Sequence, residues 1–483
     1  MAAEASQPIE TRLFINNEFR DSSDKTTFEV IYPYTKEVVA NASLCRRRKR
    51  CRHRRQRSIP SMARSRHRRT CPYLRKLSEL FLEANNDLAR LETLSTGRPI
   101  SQFMDAHMSS ELFRYFADAA WNSQGTASTY NPGLLRALRR RGSDHPWNFP
   151  LANFSFKVAP ALAAGNTVVL KSSEKAPLTC IYAAKLIQKA GFPPGVINII
   201  AGYGNPTGAA LAEHMAVRCI SFTGSSLTGQ KIQAAAAKSN MKHCHMELGG
   251  KSPAVVFEDA DLEAAAIQTQ FSIQFNSGQV CVANSRLYVQ ESVYDKFVAL
   301  FREKFAAVTL GDPLDPTTTH GPQIDAAQYK RVQEYLANGQ KDGSLTQGGD
   351  ANNGFFVKPT IFEKVPEDSR LMREEVFGPV VTINTFKTEE EAVQKANDSE
   401  FGLYASVFTK DLDRAVRMSK ALQAGTVGVN CTSPTNAKDG AFGGYKMSGN
   451  GREGMLYSID NFLQLKTILI KSGQGSASPL LKS

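Results

Sequence analysis

Apolar residues recur at Leu74, Leu77, Leu80 and Phe81, a spacing that places all four on one face of a helix. Helical patterns follow over 88–94 and 110–120. Upstream the runs are short: Leu13-Phe14-Ile15, a turn at Asn16-Asn17, Phe28-Glu29-Val30-Ile31, and, past a turn bounded by Pro33, Glu37-Val38-Val39. These predict short strands. From Pro146 onward, β-rich pieces at 167–170, 196–200, 218–222 and a run ending at Met246 alternate with helical patterns over 178–190, 207–214 and 227–237. Strands that alternate with helices predict a parallel α/β sheet, because each return to a parallel strand needs a crossover. A second α/β region is expected from Ser252 to about residue 430, a closing strand over 461–470, and a loose tail from Ser472.

Two stretches break this pattern. Residues 44–70 have almost no apolar periodicity, and their composition alone predicts disorder. Residues 131–145 end in Ser143, Asp144 and His145 just before Pro146-Trp147-Asn148-Phe149-Pro150, and ionic groups are poorly suited to a buried strand.

A chain of 483 residues is expected to form about two or three domains, and 42% hydrophobic with 22% charged residues is a globular balance. No apolar run approaches the roughly 18 residues that span a bilayer, so no membrane partner is expected. The best candidate, 158–170, is broken by Pro160, Gly165 and Asn166. Residues 1–8 lack a basic, apolar leader pattern, and the eight Cys show no framework of close pairs; both point to the cytosol. The net charge of +13 is local. Thirteen of the 59 Lys and Arg lie between Arg46 and Arg69 with no acid among them, and the 46 that remain match the 46 Asp and Glu. The basicity therefore belongs to one segment and not to a binding face of the fold.

Candidate chemistry centres on 246–286. Glu247-Leu248-Gly249-Gly250-Lys251-Ser252-Pro253 is followed, 34 positions after Glu247, by Cys281 at the end of Phe275-Asn276-Ser277-Gly278-Gln279-Val280-Cys281. One carboxylate and one thiol, each beside glycines that allow close approach, point to a thiol nucleophile with a general base. These two motifs closely resemble the active-site signatures of the NAD(P)-dependent aldehyde dehydrogenases. Further matches run in family order from Asn148 to Glu453.

The resemblance implies a Rossmann-like parallel-sheet cofactor domain (1–119 and 144–248), a second α/β catalytic domain (249–455) and a small oligomerisation β-extension (120–143 and 456–483). A homodimer or homotetramer follows. It makes Cys281 the nucleophile, Asn148 the oxyanion-hole amide beside the Cys281 backbone N–H, and Glu247 the base that activates water for thioester hydrolysis. Lys157 and Glu453 match a lysine near the proton path and a second carboxylate; a solvated lysine and a structural ion pair are the plain alternatives.

For the cofactor, the turn Phe222–Gly229, a Gly-x-x-x-x-Gly with Leu227 where a Glu is common, brings Gly224, Ser225 and a helix N-terminus to a pyrophosphate. Trp147 is expected beside the cofactor. Lys171 and Glu174 match the pair that grips the adenosine ribose, and a carboxylate there favours NAD over NADP. Glu375 and Phe377 match residues that seat the nicotinamide ribose and ring. Phe149, Phe156 and Phe442 match tunnel positions, implying an apolar or aromatic aldehyde, with core packing as the alternative. Cys180, Cys219 and Cys244 are expected in the core.

Competing readings rest on the two aberrant stretches. Family members carry an Ala-rich helix in place of the Arg run and an apolar strand in place of 131–145. A GCC repeat read in another frame becomes CGC, which encodes Arg, so both stretches read as local frame shifts or mispredicted exons. An inactive, degenerate relative is one alternative. A nucleic-acid-binding protein is a weaker one, carried only by the Arg run. No metal is expected: Cys45, Cys51, His53, His67 and Cys71 miss the usual zinc-finger spacing.

Overall fold

The computed structural model describes residues 8–45, 70–122, 141–144, 146–351, 353–435 and 437–464. The Arg run, most of the zinc reading, most of the aberrant stretch 131–145 and the greater part of the expected oligomerisation segments lie outside them.

Two sheets organise the chain. The first has eight strands in the order Gly449–Asn450, His243–Glu247, Cys219–Thr223, Arg141–Asp144, Val168–Ser172, Ile197–Ala201, Leu13–Ile15 and Glu18–Arg20. Its central five are parallel and its edges antiparallel. The second has seven: Ser344–Asp350, Val357–Glu363, Val380–Phe386, Asn284–Gln290, Ser252–Val256, Tyr404–Phe408 and Thr426–Val429. All its pairs are parallel except the first. This is the α/β architecture expected, with Rossmann-like parallel pairing in the first sheet.

The predicted helical face is realised in Cys71–Glu83, where Leu74, Leu77, Leu80 and Phe81 are all buried. Each such side chain stabilises by about 1.5–3 kcal/mol on burial. They join a core completed by the helices Asp105–Asn122 and Pro150–Ala163, with Phe81 against Phe113 and Phe113 stacked on Phe154 at 6.1 Å. Among the described residues no helix is long and apolar enough to cross a membrane.

Three features depart from the sequence reading. Arg141–Asp144 is a strand despite its polar residues, and it sits in the middle of the first sheet, paired on one side with Val168–Lys171 and on the other with Ile220–Phe222. Ladder hydrogen bonds come from the backbone, so a polar sequence between two strong strands can still complete the sheet. The start of the expected closing strand is instead a 3₁₀ turn, Asp460–Phe462; residues 465–470 lie outside the described residues. Gly449–Asn450, within the span expected to be catalytic, returns to the first sheet and pairs with Met246–Glu247. Gly449 takes φ +123°, and a Cβ there would lie 2.0 Å from the Met246 carbonyl oxygen.

Candidate active site

Register brings the thiol to the carboxylate. Glu247 ends the first sheet and Ser252 opens the second, and Ser252 pairs with Asn284. Cys281 lies three residues before Asn284 and Gly250 two before Ser252, so the paired strands bring these two turns together. The contact is close enough that a Cβ on Gly250 would lie 2.3 Å from the Cys281 carbonyl oxygen. Cys281 itself is partly exposed, against an apolar cluster that includes Phe149, Phe275 and Phe442.

The loop before Cys281 is strained. Asn276 (φ 49°), Ser277 (φ 53°) and Gly278 (φ 74°) are consecutive left-handed residues, which costs about 1–3 kcal/mol at each non-glycine position. Side-chain amides hold it there. Asn276 Nδ2 donates to the Asn148 carbonyl at 3.2 Å, and Asn148 Nδ2 donates to the Gln279 carbonyl at 3.0 Å. Asn148 is buried, so its amide is fixed two residues from the nucleophile in sequence.

The electrostatics are set by burial and by several carboxyl groups. Burial, with the charges of Glu375 and Glu247, pushes the Cys281 thiol up to about 12. Burial and the neighbouring Glu453 carboxylate hold Glu247 well above the usual carboxylate range, against the opposing pull of Lys157 and Arg452. Its Oε2 is buried without a hydrogen-bond partner. Lys157 is 1% exposed, which removes the solvated alternative, and its Nζ meets Glu453 Oε1 at 2.5 Å. Glu453 is held by a two-way backbone bridge to Phe442.

Lys171, Glu174, Gly224 and Ser225 lie at or just past the carboxyl ends of strands in the first sheet. Strand order reverses beside Arg141–Asp144: the chain runs from there to Val168–Ser172 on one side and resumes at Cys219–Thr223 on the other. A crevice at such a reversal is where parallel α/β sheets bind ligands. Lys171 lies 3.7 Å from Glu174 just past one strand. Past the other, the Gly224 N–H donates to the Glu247 carbonyl at 3.1 Å, and Ser225 caps the helix Ser226–Ser239 by accepting the Thr228 N–H at 3.3 Å. No acid stands in that helix's first turn. Trp147 packs edge-on to Phe377 at 5.3 Å. Glu375 accepts the Gly250 N–H at 2.9 Å, and burial raises it to about 7. Leu227 is exposed.

Of the tunnel candidates, Phe149 stacks on Phe275 at 5.7 Å and Phe442 packs with the same cluster, whereas Phe156 joins the core of the first sheet. Cys180 and Cys219 are buried and Cys244 half-buried. Sequence reasoning missed Asn276 and Gln279 as organisers of the nucleophile loop, and it missed the buried charges Glu92, Arg98 and Asp105. A Glu inside the apolar run Leu91-Glu92-Thr93-Leu94 was the available signal.

Known proteins are similar to this chain over nearly its whole length. Residues 19–468 match the model of the aldehyde dehydrogenase family. An aldehyde dehydrogenase of Emericella nidulans is 42% identical over 481 residues, covering 95% of each chain. The cytosolic aldehyde dehydrogenase 1 of Rattus norvegicus is 41% identical over 480 residues, 96% of this chain and 95% of the relative. Among solved structures, the P. syringae indole-3-acetaldehyde dehydrogenase AldA, a mutant in complex with NAD+ and IAA, superposes with a TM-score of 0.92 at 37% identity, over 96% of this chain and 97% of that one. The chain belongs to the aldehyde dehydrogenase family. It is an oxidoreductase that oxidises an aldehyde with a nicotinamide cofactor.

Proposed function

We propose that the chain oxidises an apolar or aromatic aldehyde to its carboxylic acid with NAD, Cys281 acting as nucleophile and Glu247 as base. The observation that carries this is the junction of the two sheets, where Gly250 and Cys281 meet and the Glu247 charge reaches the thiol. The Cys281 sulfur adds to the carbonyl carbon as its proton passes to solvent, which the partly exposed thiol can reach, and the Asn148 amide and the Cys281 N–H receive the oxyanion. The nicotinamide cofactor accepts hydride when bound. The resulting thioester is cleaved by water, from which Glu247 takes a proton; Lys157 and Glu453 extend the path by which it leaves.

The described residues fit the cofactor. The helix N-terminus capped by Ser225, free of acid in its first turn, suits a pyrophosphate, and Gly224 stands in the same turn. Glu174, partly exposed beside Lys171, suits ribose hydroxyls and disfavours a 2′-phosphate, which supports NAD over NADP. Glu375, whose charge reaches the thiol, and Phe377, packed edge-on to Trp147, suit the nicotinamide end. A solved relative holds NAD+.

The expected division into a cofactor domain and a catalytic domain is supported by the two sheets. Leu456 and Tyr457, both exposed, support a homodimer or homotetramer built on the C-terminal segment. A cytosolic location is supported by the rat relative's name. Nothing in the site favours the inactive alternative. Mixing enzyme, NAD and an aromatic aldehyde should give NADH and, on quenching, an acyl adduct mapped by mass to Cys281; NADH without any adduct at Cys281, even when turnover is slowed, would refute the assignment.

A further inference from the structure

A buried cluster of charges stands behind the oxyanion turn. Glu92, in the helix Asn85–Thr96, Arg98, and Asp105, which opens the helix Asp105–Asn122, are each no more than 2% exposed. Arg98 Nη2 donates to Glu92 Oε1 at 2.7 Å and also to Asp105 Oδ2. Burial and the Asp105 charge push Glu92 up to about 8. Burial thus favours the neutral form of Glu92, which eases the cost of holding these groups together in a dry site.

Three contacts run from this turn to the reaction centre. The Arg98 guanidinium lies 4.8 Å from the ring centroid of Phe149, the residue after Asn148. Glu92 Oε2 accepts the Leu151 N–H at 3.3 Å, at the start of the helix Pro150–Ala163. Gln102, four residues after Arg98, accepts the Asn276 N–H at 2.9 Å on the strained loop that leads to Cys281. The segment 92–102 therefore grips both partners of the Asn148–Gln279 contact, one through Phe149 and Leu151, the other through Asn276. None of these groups touches the reacting atoms.

We propose that Arg98 and Gln102, with Glu92 and Asp105 holding Arg98 in place, are positioning residues that set Asn148 against Cys281 and so govern the rate of thiol addition. This rests on Asn148 being the oxyanion donor. A buried cation over an aromatic face is a directional contact, and the planar guanidinium that bridges two carboxyl groups fixes where that face lies. A displacement of about 1 Å at a donor is enough to cost on the order of 10²-fold in rate.

The test is a double-mutant cycle read in the pre-steady-state hydride burst, with Asn148→Ala, Arg98→Met, Gln102→Ala and the two double variants. Arg98→Met should slow the burst about 10- to 100-fold, and Gln102→Ala several-fold, with cofactor KM nearly unchanged. Each double variant should be little slower than Asn148→Ala alone, because the lost positioning has nothing left to position. Gln102 is partly exposed, so its variant keeps the test open if Arg98→Met does not fold. If Asn148→Ala leaves the burst unchanged, the oxyanion assignment fails and this inference falls with it. If Asn148→Ala is slow while the others are as fast as wild type, or the effects multiply in the double variants, this inference alone is overturned.

Discussion

Lys157 and Glu453, 296 positions apart, form a buried ion pair at 2.5 Å, and Glu247 sits in their field with one carboxyl oxygen unbonded. The pair places a cation near a carboxyl group that burial would otherwise keep protonated, and the charge on Glu453 works the other way. Glu247 is thus tuned by two neighbours of opposite sign.

A base must be deprotonated to act, and Glu247 is held well above the carboxylate range. Its deprotonated fraction grows as pH rises, so the deacylation rate should climb with pH above the range in which an ordinary carboxylate titrates. Glu247→Gln should keep a burst of NADH, slow the steady state about 10²- to 10⁴-fold and abolish that limb. Stopped-flow traces over a pH series check this; loss of the burst with cofactor still bound would give Glu247 another role.

Lys157→Met removes the cation and leaves Glu453 buried beside Glu247. Breaking such a pair costs about 3–5 kcal/mol, so the melting temperature should fall. The rising limb should also move to higher pH, because Lys157 is one of the groups that draw Glu247 down. Calorimetry and a kcat profile read the two effects separately.

The Cys281 thiol, pushed up to about 12, is overwhelmingly protonated in the free enzyme at pH 7. Alkylation by iodoacetamide should be slow there and rise about tenfold per pH unit, since the thiolate is the reactive form. Peptide mapping should find Cys281 modified before the buried Cys180. Cys281→Ala should eliminate NADH production; residual turnover would move the nucleophile elsewhere.

Glu174→Gln removes the charge that disfavours a 2′-phosphate. The ratio of kcat/KM for NAD over NADP should drop about tenfold, with kcat for NAD little changed. An unaltered ratio would take Glu174 out of cofactor choice.

A chimera in which 44–70 and 131–145 are replaced by the matching segments of the rat relative should melt higher than the natural chain. Each apolar side chain newly buried contributes about 1.5–3 kcal/mol. Equal melting temperatures would show that the Arg-rich stretch is tolerated as it stands.

Long periodic segments were legible because their own side chains decide them. Leu74, Leu77, Leu80 and Phe81 mark a helix and are buried as one. Arg141–Asp144 was opaque for the opposite reason: its place depends on backbone pairing with Val168–Lys171 and Ile220–Phe222, which leaves no side-chain pattern. The candidate residues Glu247 and Cys281 were found by motif, but their meeting follows from the register of Ser252 with Asn284, and the grip of Arg98 on Phe149 from a crossing of distant segments. Neither is encoded locally.

The strand Gly449–Asn450 also fixes the order in which the enzyme becomes whole. As the chain leaves the ribosome, His243–Glu247 emerges about 200 residues before the strand that closes its edge, and Lys157 waits longer still for Glu453. Until then the sheet edge at Glu247 is open and the buried ammonium has no counter-ion. A nascent or prematurely terminated product ending before residue 449 would hold both Glu247 and Cys281 and still lack the finished site.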